Sequence, residues 1–400
     1  MIPPFPSAEP DSIGLSSERL ERISMALERE ITAGTLPGAT VAIARRGKLA
    51  YHEAFGHLDA GSRAPMPKDA IFSIASMTKP IVAVAALMLY EEGRMMVNEP
   101  VGKYLPQLAR MRVGTPGCDG SPAQTVALDR EATIQDLMRH TSGFSYGRGA
   151  TPLHKIYPVG SAASAVQWTG AEFLDRLASL PLHFQPGSSW EYSLGLDILG
   201  LAIEAVTGQP LREFLEERLF APLGMSDTSF VVSESEAGRY AKALPNDPLT
   251  REPQTLRDGT KLHQFDCGGG CAVSTALDYL RFAQMLLNGG ELDGVRILSR
   301  KTVDYMSADH MGPEIDATRL RNYPNINGYG FGLGVAVRRG AGISGVNSSR
   351  GEFHWAGSTG TYFWVDPAEE LAVVFMAHAP GAIRYYHRQV MHAMVMQALV

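Results

Sequence analysis

Ala75-Ser76-Met77-Thr78-Lys79-Pro80-Ile81-Val82-Ala83-Val84-Ala85-Ala86-Leu87-Met88-Leu89 reads as the start of an apolar helix with a serine and a lysine three residues apart. Successive helical residues turn by about 100°, so positions i and i+3 share a face. Ser76 and Lys79 therefore point into the same space. The apolar side chains from Ile81 to Leu89 bury the helix. A lysine entering that core near a helix N-terminus loses hydration and meets the positive end of the macrodipole. Both lower its pKa. A neutral amine can take the serine proton, which makes the pair an arrangement for nucleophilic catalysis. The tetrapeptide also arises by chance, so other segments must complete the site.

The 400 residues leave room for a sizeable core in one large domain or two modest ones. Apolar content of 45% and charged content of 20% are ordinary for a soluble globular chain. A net charge of −6, with no basic run longer than Arg45-Arg46 or Arg338-Arg339, argues against a nucleic-acid surface. No apolar stretch reaches the ~20 residues needed to span a bilayer, and Met1-Ile2-Pro3-Pro4-Phe5-Pro6 lacks the pattern of a leader. The expectation is a cytoplasmic protein without membrane insertion, compatible with a monomer or a homo-oligomer. Cys118, Cys267 and Cys271 suggest no disulfide framework.

Outward from the opening stretch, Leu20, Ile23, Leu27 and Ile31 form the stripe of an amphipathic helix. Two strand-like runs at 39–44 and 49–55 flank the turn Arg45-Arg46-Gly47-Lys48, a hairpin signal. Helical patterns then dominate, at 133–140, 171–180, 194–207, 211–219 and 275–287, joined by Gly/Pro-rich loops. Strand signals return at 330–337, 352–355, 360–365 and 371–377, and a helix at 383–399 closes the chain. The order suggests one sheet assembled from both chain ends, 1–97 and 324–400, interrupted by a mainly helical domain at 98–323. Ligand sites favour such junctions, where the Ser76 helix falls.

Two further segments complete a site. In Phe184-Gln185-Pro186-Gly187-Ser188-Ser189-Trp190-Glu191-Tyr192-Ser193 a Pro-Gly turn leads to a tyrosine before a helix. A tyrosine hydroxyl beside the lysine can relay protons, because an ammonium favours the phenolate. In His354-Trp355-Ala356-Gly357-Ser358-Thr359-Gly360 an apolar strand runs into small residues, and Gly357 allows backbone close to a ligand. An N–H from that strand, with that of Ser76, can hold a developing oxyanion.

This ordered set resembles the serine β-lactamase and penicillin-binding-protein superfamily, and within it the family VIII carboxylesterases, relatives of class C β-lactamases. The resemblance covers nearly the whole chain and includes Leu137-Met138-Arg139-His140-Thr141-Ser142-Gly143, Pro222-Leu223-Gly224-Met225, Cys271-Ala272-Val273-Ser274-Thr275-Ala276-Leu277-Asp278-Tyr279 and Met285-Leu286-Leu287-Asn288-Gly289-Gly290. It implies an α/β (α+β) fold, an antiparallel sheet flanked by helices with an inserted helical domain. It also implies Ser76 as nucleophile, Lys79 and Tyr192 as the base system, and the N–H groups of Ser76 and Ser358 as oxyanion donors. No metal or organic cofactor is called for.

Departures from the β-lactamase pattern point to an uncharged ester as substrate. Trp355-Ala356-Gly357 stands where those enzymes carry Lys-Thr-Gly, and tryptophan cannot supply the lysine's charge. Tyr192-Ser193-Leu194 stands in place of Tyr-x-Asn, so the amide-binding asparagine is missing. The expected activity is hydrolysis of short- to medium-chain esters, with weak β-lactam hydrolysis compatible. Trp355, Gly357, Phe144, Tyr146 and His354 are the candidate substrate-binding residues, with Tyr157 a further aromatic that narrows the acyl site. A β-lactamase, a D-amino-acid peptidase or amidase, and an acyltransferase are the alternatives. A non-enzymatic binding protein is disfavoured by the intact Ser76, Lys79 and Tyr192.

Gly143-Phe144-Ser145-Tyr146-Gly147 matches the G-x-S-x-G elbow of α/β-hydrolases, but that elbow needs a strand before the serine and a helix after it. Here a helical pattern precedes and loop follows, so Ser145 is expected as a loop residue at the pocket rim. His140, His354 and His378 could complete a triad only with Ser145 as nucleophile; otherwise His140 is structural. Cys267-Gly268-Gly269-Gly270-Cys271 lacks further zinc ligands and reads as a glycine-rich turn with two incidental thiols.

Overall fold

Two strands buried on both faces, 38–45 and 371–377, organise the centre of the fold. A computed structural model describes residues 4–116, 122–324 and 326–400, so Cys118 lies outside the described residues. The N-terminal helix α1 (Ser17–Thr32) leads into β1 (Gly38–Arg45), β2 (Lys48–Asp59) and the short β3 (Ala64–Pro65). A 3₁₀ turn (Ala75–Met77) runs directly into α2 (Thr78–Glu91). Among the intervening helices, α3 (Gly195–Thr207) and α4 (Ala276–Leu287) share one core with α2. The chain then adds β4 (Tyr329–Phe331), β5 (Ala336–Arg338), β6 (Phe353–Ala356), β7 (Tyr362–Asp366) and β8 (Leu371–Ala377) before α5 (Ile383–Met396).

These strands form one eight-stranded antiparallel sheet in the order β4-β5-β6-β7-β8-β1-β2-β3. The two chain ends meet where β1 pairs with β8, Ala39 opposite Ala377 and Arg45 opposite Leu371. Side chains alternate faces along a strand. Val41, Ile43, Val373 and Phe375 therefore point to one face, where Leu20, Ile23 and Leu27 of α1 and Met391 and Val395 of α5 cover them. Ala42, Ala44, Ala372, Val374 and Met376 point to the other, against α4, in the same core as α2 and α3. Each fully buried Leu, Ile, Val or Phe contributes about 1.5–3 kcal/mol, so the double-sided packing holds the sheet rigid under the site.

The expected antiparallel sheet flanked by helices is observed, with strands from both chain ends. The run at 330–337 differs, being two strands and a turn. Gly334 takes φ +84°, a left-handed conformation, and lies against Ala83 and the Lys79 carbonyl of α2. The Gly332 N–H bonds the Val335 carbonyl at 2.8 Å, closing the turn. Among the described residues no helix is long and apolar enough to cross a membrane.

Candidate active site

Ser76 sits in the 3₁₀ turn and Lys79 in the first turn of α2, on one face as the i, i+3 spacing requires. Ala75 before them takes φ +45°, a left-handed conformation that turns the chain sharply into the helix. The segment is clamped from three sides. The Ser73 N–H donates to His378 Nε2 at 3.0 Å, Thr359 Oγ1 donates to the Ser73 carbonyl at 2.7 Å, and Thr361 Oγ1 donates to the Ile74 carbonyl at 3.2 Å. Gly357 packs on that same Ile74 carbonyl, where any Cβ would collide. Ser358, one residue on, lines the same cleft of about 1250 Å³ as Ser76, Tyr192, Trp355 and His354.

Lys79 is completely buried. Its Nζ donates to Ser76 Oγ at 3.3 Å, to the Tyr146 hydroxyl at 2.9 Å and to the Gly269 carbonyl at 2.5 Å. Behind this shell lies a carboxylate that sequence reasoning missed. Asp197, fully buried on α3, accepts from Ser161 Oγ at 2.8 Å and from the Gly269 N–H at 2.9 Å. Ser161 Oγ lies 2.9 Å from the Tyr146 hydroxyl. Because the Ser161 proton goes to Asp197, Tyr146 donates to Ser161 and accepts from Lys79. Desolvation lowers the Lys79 pKa, opposed by Asp197 and reinforced by Arg148. Desolvation raises Asp197, opposed by Lys79. The signal available in the sequence was a lone acid inside Leu194-Gly195-Leu196-Asp197-Ile198-Leu199.

Tyr192 stands where expected but bonds differently. Lys79 Nζ lies 4.7 Å from its ring centroid, over the face of the ring. Burial raises the Tyr192 pKa, with hydrogen bonds from the Ser76 and Trp355 side chains opposing that rise, so the hydroxyl remains a phenol. The Trp355 indole N–H donates to it at 3.4 Å. The tyrosine whose hydroxyl engages the lysine is Tyr146, placed by the sequence only among the substrate-facing aromatics.

Of the other candidates, Trp355 packs at 5.4 Å from Tyr192 and 5.2 Å from Phe331, and Gly357 and His354 lie in the cleft wall. Burial pushes the His354 pKa down to about 3, and neither ring nitrogen has a partner among the described residues. Phe144 is a correction: it lies 1% exposed in the core and does not line the cleft. Tyr157 is likewise buried, its hydroxyl donating to the Pro181 carbonyl at 2.8 Å. Ser145 lies in irregular chain after the short helix Ile134–Met138, and its Oγ accepts the Gly147 N–H at 3.2 Å. His140 and Ser193 hold one another, Nδ1 to Oγ at 3.2 Å.

The expectation about the cysteines needs revision. Cys267 and Cys271 are disulfide-bonded, closing the turn whose Gly269 touches both Lys79 and Asp197. The spacing gave no sign of it because the glycines between them fold the chain back on itself. At the cleft rim, His154, His183 and Glu191 place ligand-type atoms within 4.8 Å of one another. His154 Nε2 bonds Glu191 at 3.0 Å, Thr151 holds His154 Nδ1 at 2.6 Å, and Arg319 pairs with Glu191, while His183 Nε2 is buried without a hydrogen-bond partner among the described residues. Glu191, next to Tyr192, is thus tied to both His154 and Arg319.

Known proteins resemble this chain along most of its length. The family described as Beta-lactamase matches residues 25–393. Protein Rv1367c of Mycobacterium tuberculosis is 34% identical, over 87% of each chain. Esterase EstB of Burkholderia gladioli is 31% identical, over 93% of this chain and 94% of its own. The solved structure of EstCE1, described as a hydrolase with promiscuous acyltransferase activity, superposes with a TM-score of 0.77 at 25% identity, covering 94% of this chain and 98% of its own.

Proposed function

The chain belongs to the Beta-lactamase family, and from that premise we propose that it is a serine ester hydrolase acting through an acyl-enzyme on Ser76. The observation that carries the reading is the bonding of Lys79. Its neutral form has two N–H donors and one lone pair. The Gly269 carbonyl takes one donor and Tyr146, fixed by Ser161 and Asp197, takes the other. The lone pair is left facing Ser76 Oγ at 3.3 Å. Lys79 accepts the serine proton as the hydroxyl attacks the ester carbonyl. The N–H groups of Ser76 and Ser358 receive the oxyanion, each donor typically worth ~3 kcal/mol. The departing alcohol takes its proton from the Tyr192–Lys79 pair, Tyr192 being kept a phenol by burial. Water then repeats the path and releases the acid. The likeness to esterase EstB supports an ester over a β-lactam, as do the missing Lys-Thr-Gly lysine and Tyr-x-Asn asparagine.

One preparation assayed with 4-nitrophenyl butyrate and nitrocefin tests the ranking. Ester turnover is expected to dominate; cephalosporin turnover exceeding it would make the protein a β-lactamase. Ser76→Ala is expected to abolish turnover, whereas Ser145→Ala keeps most of it. Acyl transfer is a second reading, supported by the likeness to EstCE1. It requires butyl butyrate to form when butanol is added to the assay.

A further inference from the structure

The cleft is cationic in a chain that is not. Over the whole sequence 42 acidic residues outnumber 36 basic ones. In the cleft wall the balance reverses: Arg148, Arg257, Arg319, Arg384 and Arg388 line it with, among the described residues, a single carboxylate, Glu191. Arg319 and His154 engage that carboxylate. Arg257 spends its guanidinium on the Cys271 and Phe230 carbonyls.

Three guanidiniums have no carboxylate partner among the described residues. Arg384 and Arg388 stand one turn apart on α5, where like charges repel. Arg384 donates to the Gly381 carbonyl at 2.8 Å and the Tyr385 hydroxyl at 2.9 Å, both neutral. Arg388 donates to the Gly357 carbonyl, and its Nε is buried without a partner. Arg148 lies 5.8 Å from the Tyr146 ring centroid. Desolvation and the neighbouring Arg384 push the Arg388 pKa down to about 10, which still leaves it charged at neutral pH. His354 and His392 on the same wall are held neutral by burial and do not add to the charge. A desolvated cation lacking a counter-ion is costly, and clustering two compounds the cost. A ligand that supplies the opposite charge removes it.

We propose that the cleft takes esters bearing a second, anionic group, a carboxylate or phosphate remote from the scissile carbonyl, and that Arg388 and Arg384 form the subsite that binds it. The inference rests on the ester-hydrolase reading. Arg388 holds the carbonyl of Gly357, the residue before Ser358, and Gly357 packs on Ile74, two residues before Ser76. The bound anion therefore lies along the wall that flanks the nucleophile. The positive charge that position 355 does not provide comes instead from the C-terminal helix. A planar guanidinium fork suits a carboxylate or phosphate, since both offer paired oxygens.

The test compares esters matched except for charge. Mono-4-nitrophenyl adipate is set against 4-nitrophenyl hexanoate, placing the anion on the acyl side. On the alcohol side, 4-acetoxybenzoate and 4-acetoxyphenyl phosphate are set against 4-acetoxybenzamide, which separates carboxylate from phosphate. The ratio of kcat/KM, anionic over neutral, is formed within each of wild type, Arg384→Gln, Arg388→Gln and Arg388→Lys, so loss of folded protein cancels. At least one ratio is expected to reach about tenfold in the wild type, the scale of one charge-assisted hydrogen bond. It is expected to fall toward one in the glutamine variants and to be partly restored in Arg388→Lys. Wild-type ratios of about one or less, or a preference that survives both glutamine variants, would overturn the subsite. Failure to turn over any of the five esters would instead overturn the ester-hydrolase reading, and the subsite with it.

Discussion

Tyr146 and Tyr192 share a side-chain type and a cleft, yet their bonding assigns them different tasks. Tyr146 links Lys79 to Ser161 and Asp197, so it orients the base. Tyr146→Phe removes the acceptor that fixes one lysine N–H and is expected to lower kcat/KM about 10- to 100-fold, with Ser76 still labelled by a fluorophosphonate. Asp197→Asn tests the electrostatics. The carboxylate favours the Lys79 ammonium, so removing its charge lowers the lysine pKa further. Activity requires the neutral amine, so the acidic limb of the pH–kcat/KM profile is expected to move to lower pH; a limb that stays put would contradict the coupling. At this scale Ser76, Lys79 and Tyr192 were legible because spacing and turn chemistry place them. The work of Tyr146 was not, because a hydroxyl's partner across the fold leaves no mark in local sequence. Asp197 left a faint one, an acid in an apolar helix.

The element that carries Ser358, the proposed oxyanion donor, is the β6 end, and its fit depends on Gly357. A Cβ there would fall on the Ile74 carbonyl and on Thr361 Oγ1, and the backbone carbonyl cannot swing aside as a side chain can. Gly357→Ala is therefore expected to cost about 1–3 kcal/mol of stability and to impair turnover by moving Ser358. Thermal unfolding and kcat measured together check it; a variant with wild-type values in both would contradict the packing. Strands 38–45, 353–356, 362–366 and 371–377 were legible from alternation and composition, within two residues at each end. The run at 330–337 was not, since periodicity cannot show that Gly334 adopts positive φ to reach α2. The disulfide across 267–271 escaped for a related reason: its two sulfurs meet only because the intervening glycines allow the turn.

For the whole molecule, charge is distributed in a way composition hides. A chain with a small acidic excess gathers arginines into one cleft, and only the fold brings Arg148 to the same space as Arg384 and Arg388. Buried histidines impose a pH dependence on the fold itself. Burial pushes His183 and His354 down to about 3, and His263, His378, His387 and His392 down to about 4, from 6.5. Between pH 6.5 and about 4 the unfolded chain binds more protons at these sites, so they contribute stability that is lost as pH falls. Asp278 and Glu352, pushed up to about 7 by burial, act in the opposite sense, the fold holding their protons as pH falls below 7. The histidines outnumber them, and Tm is expected to drop from pH 7 to pH 5; a rise would show the carboxylates dominating. The central claim is that Ser76 is the nucleophile, and peptide mapping of the fluorophosphonate-treated protein by mass spectrometry tests it most directly. The adduct is predicted on the peptide containing Ser76; an adduct on Ser145, or none at all, would contradict the account.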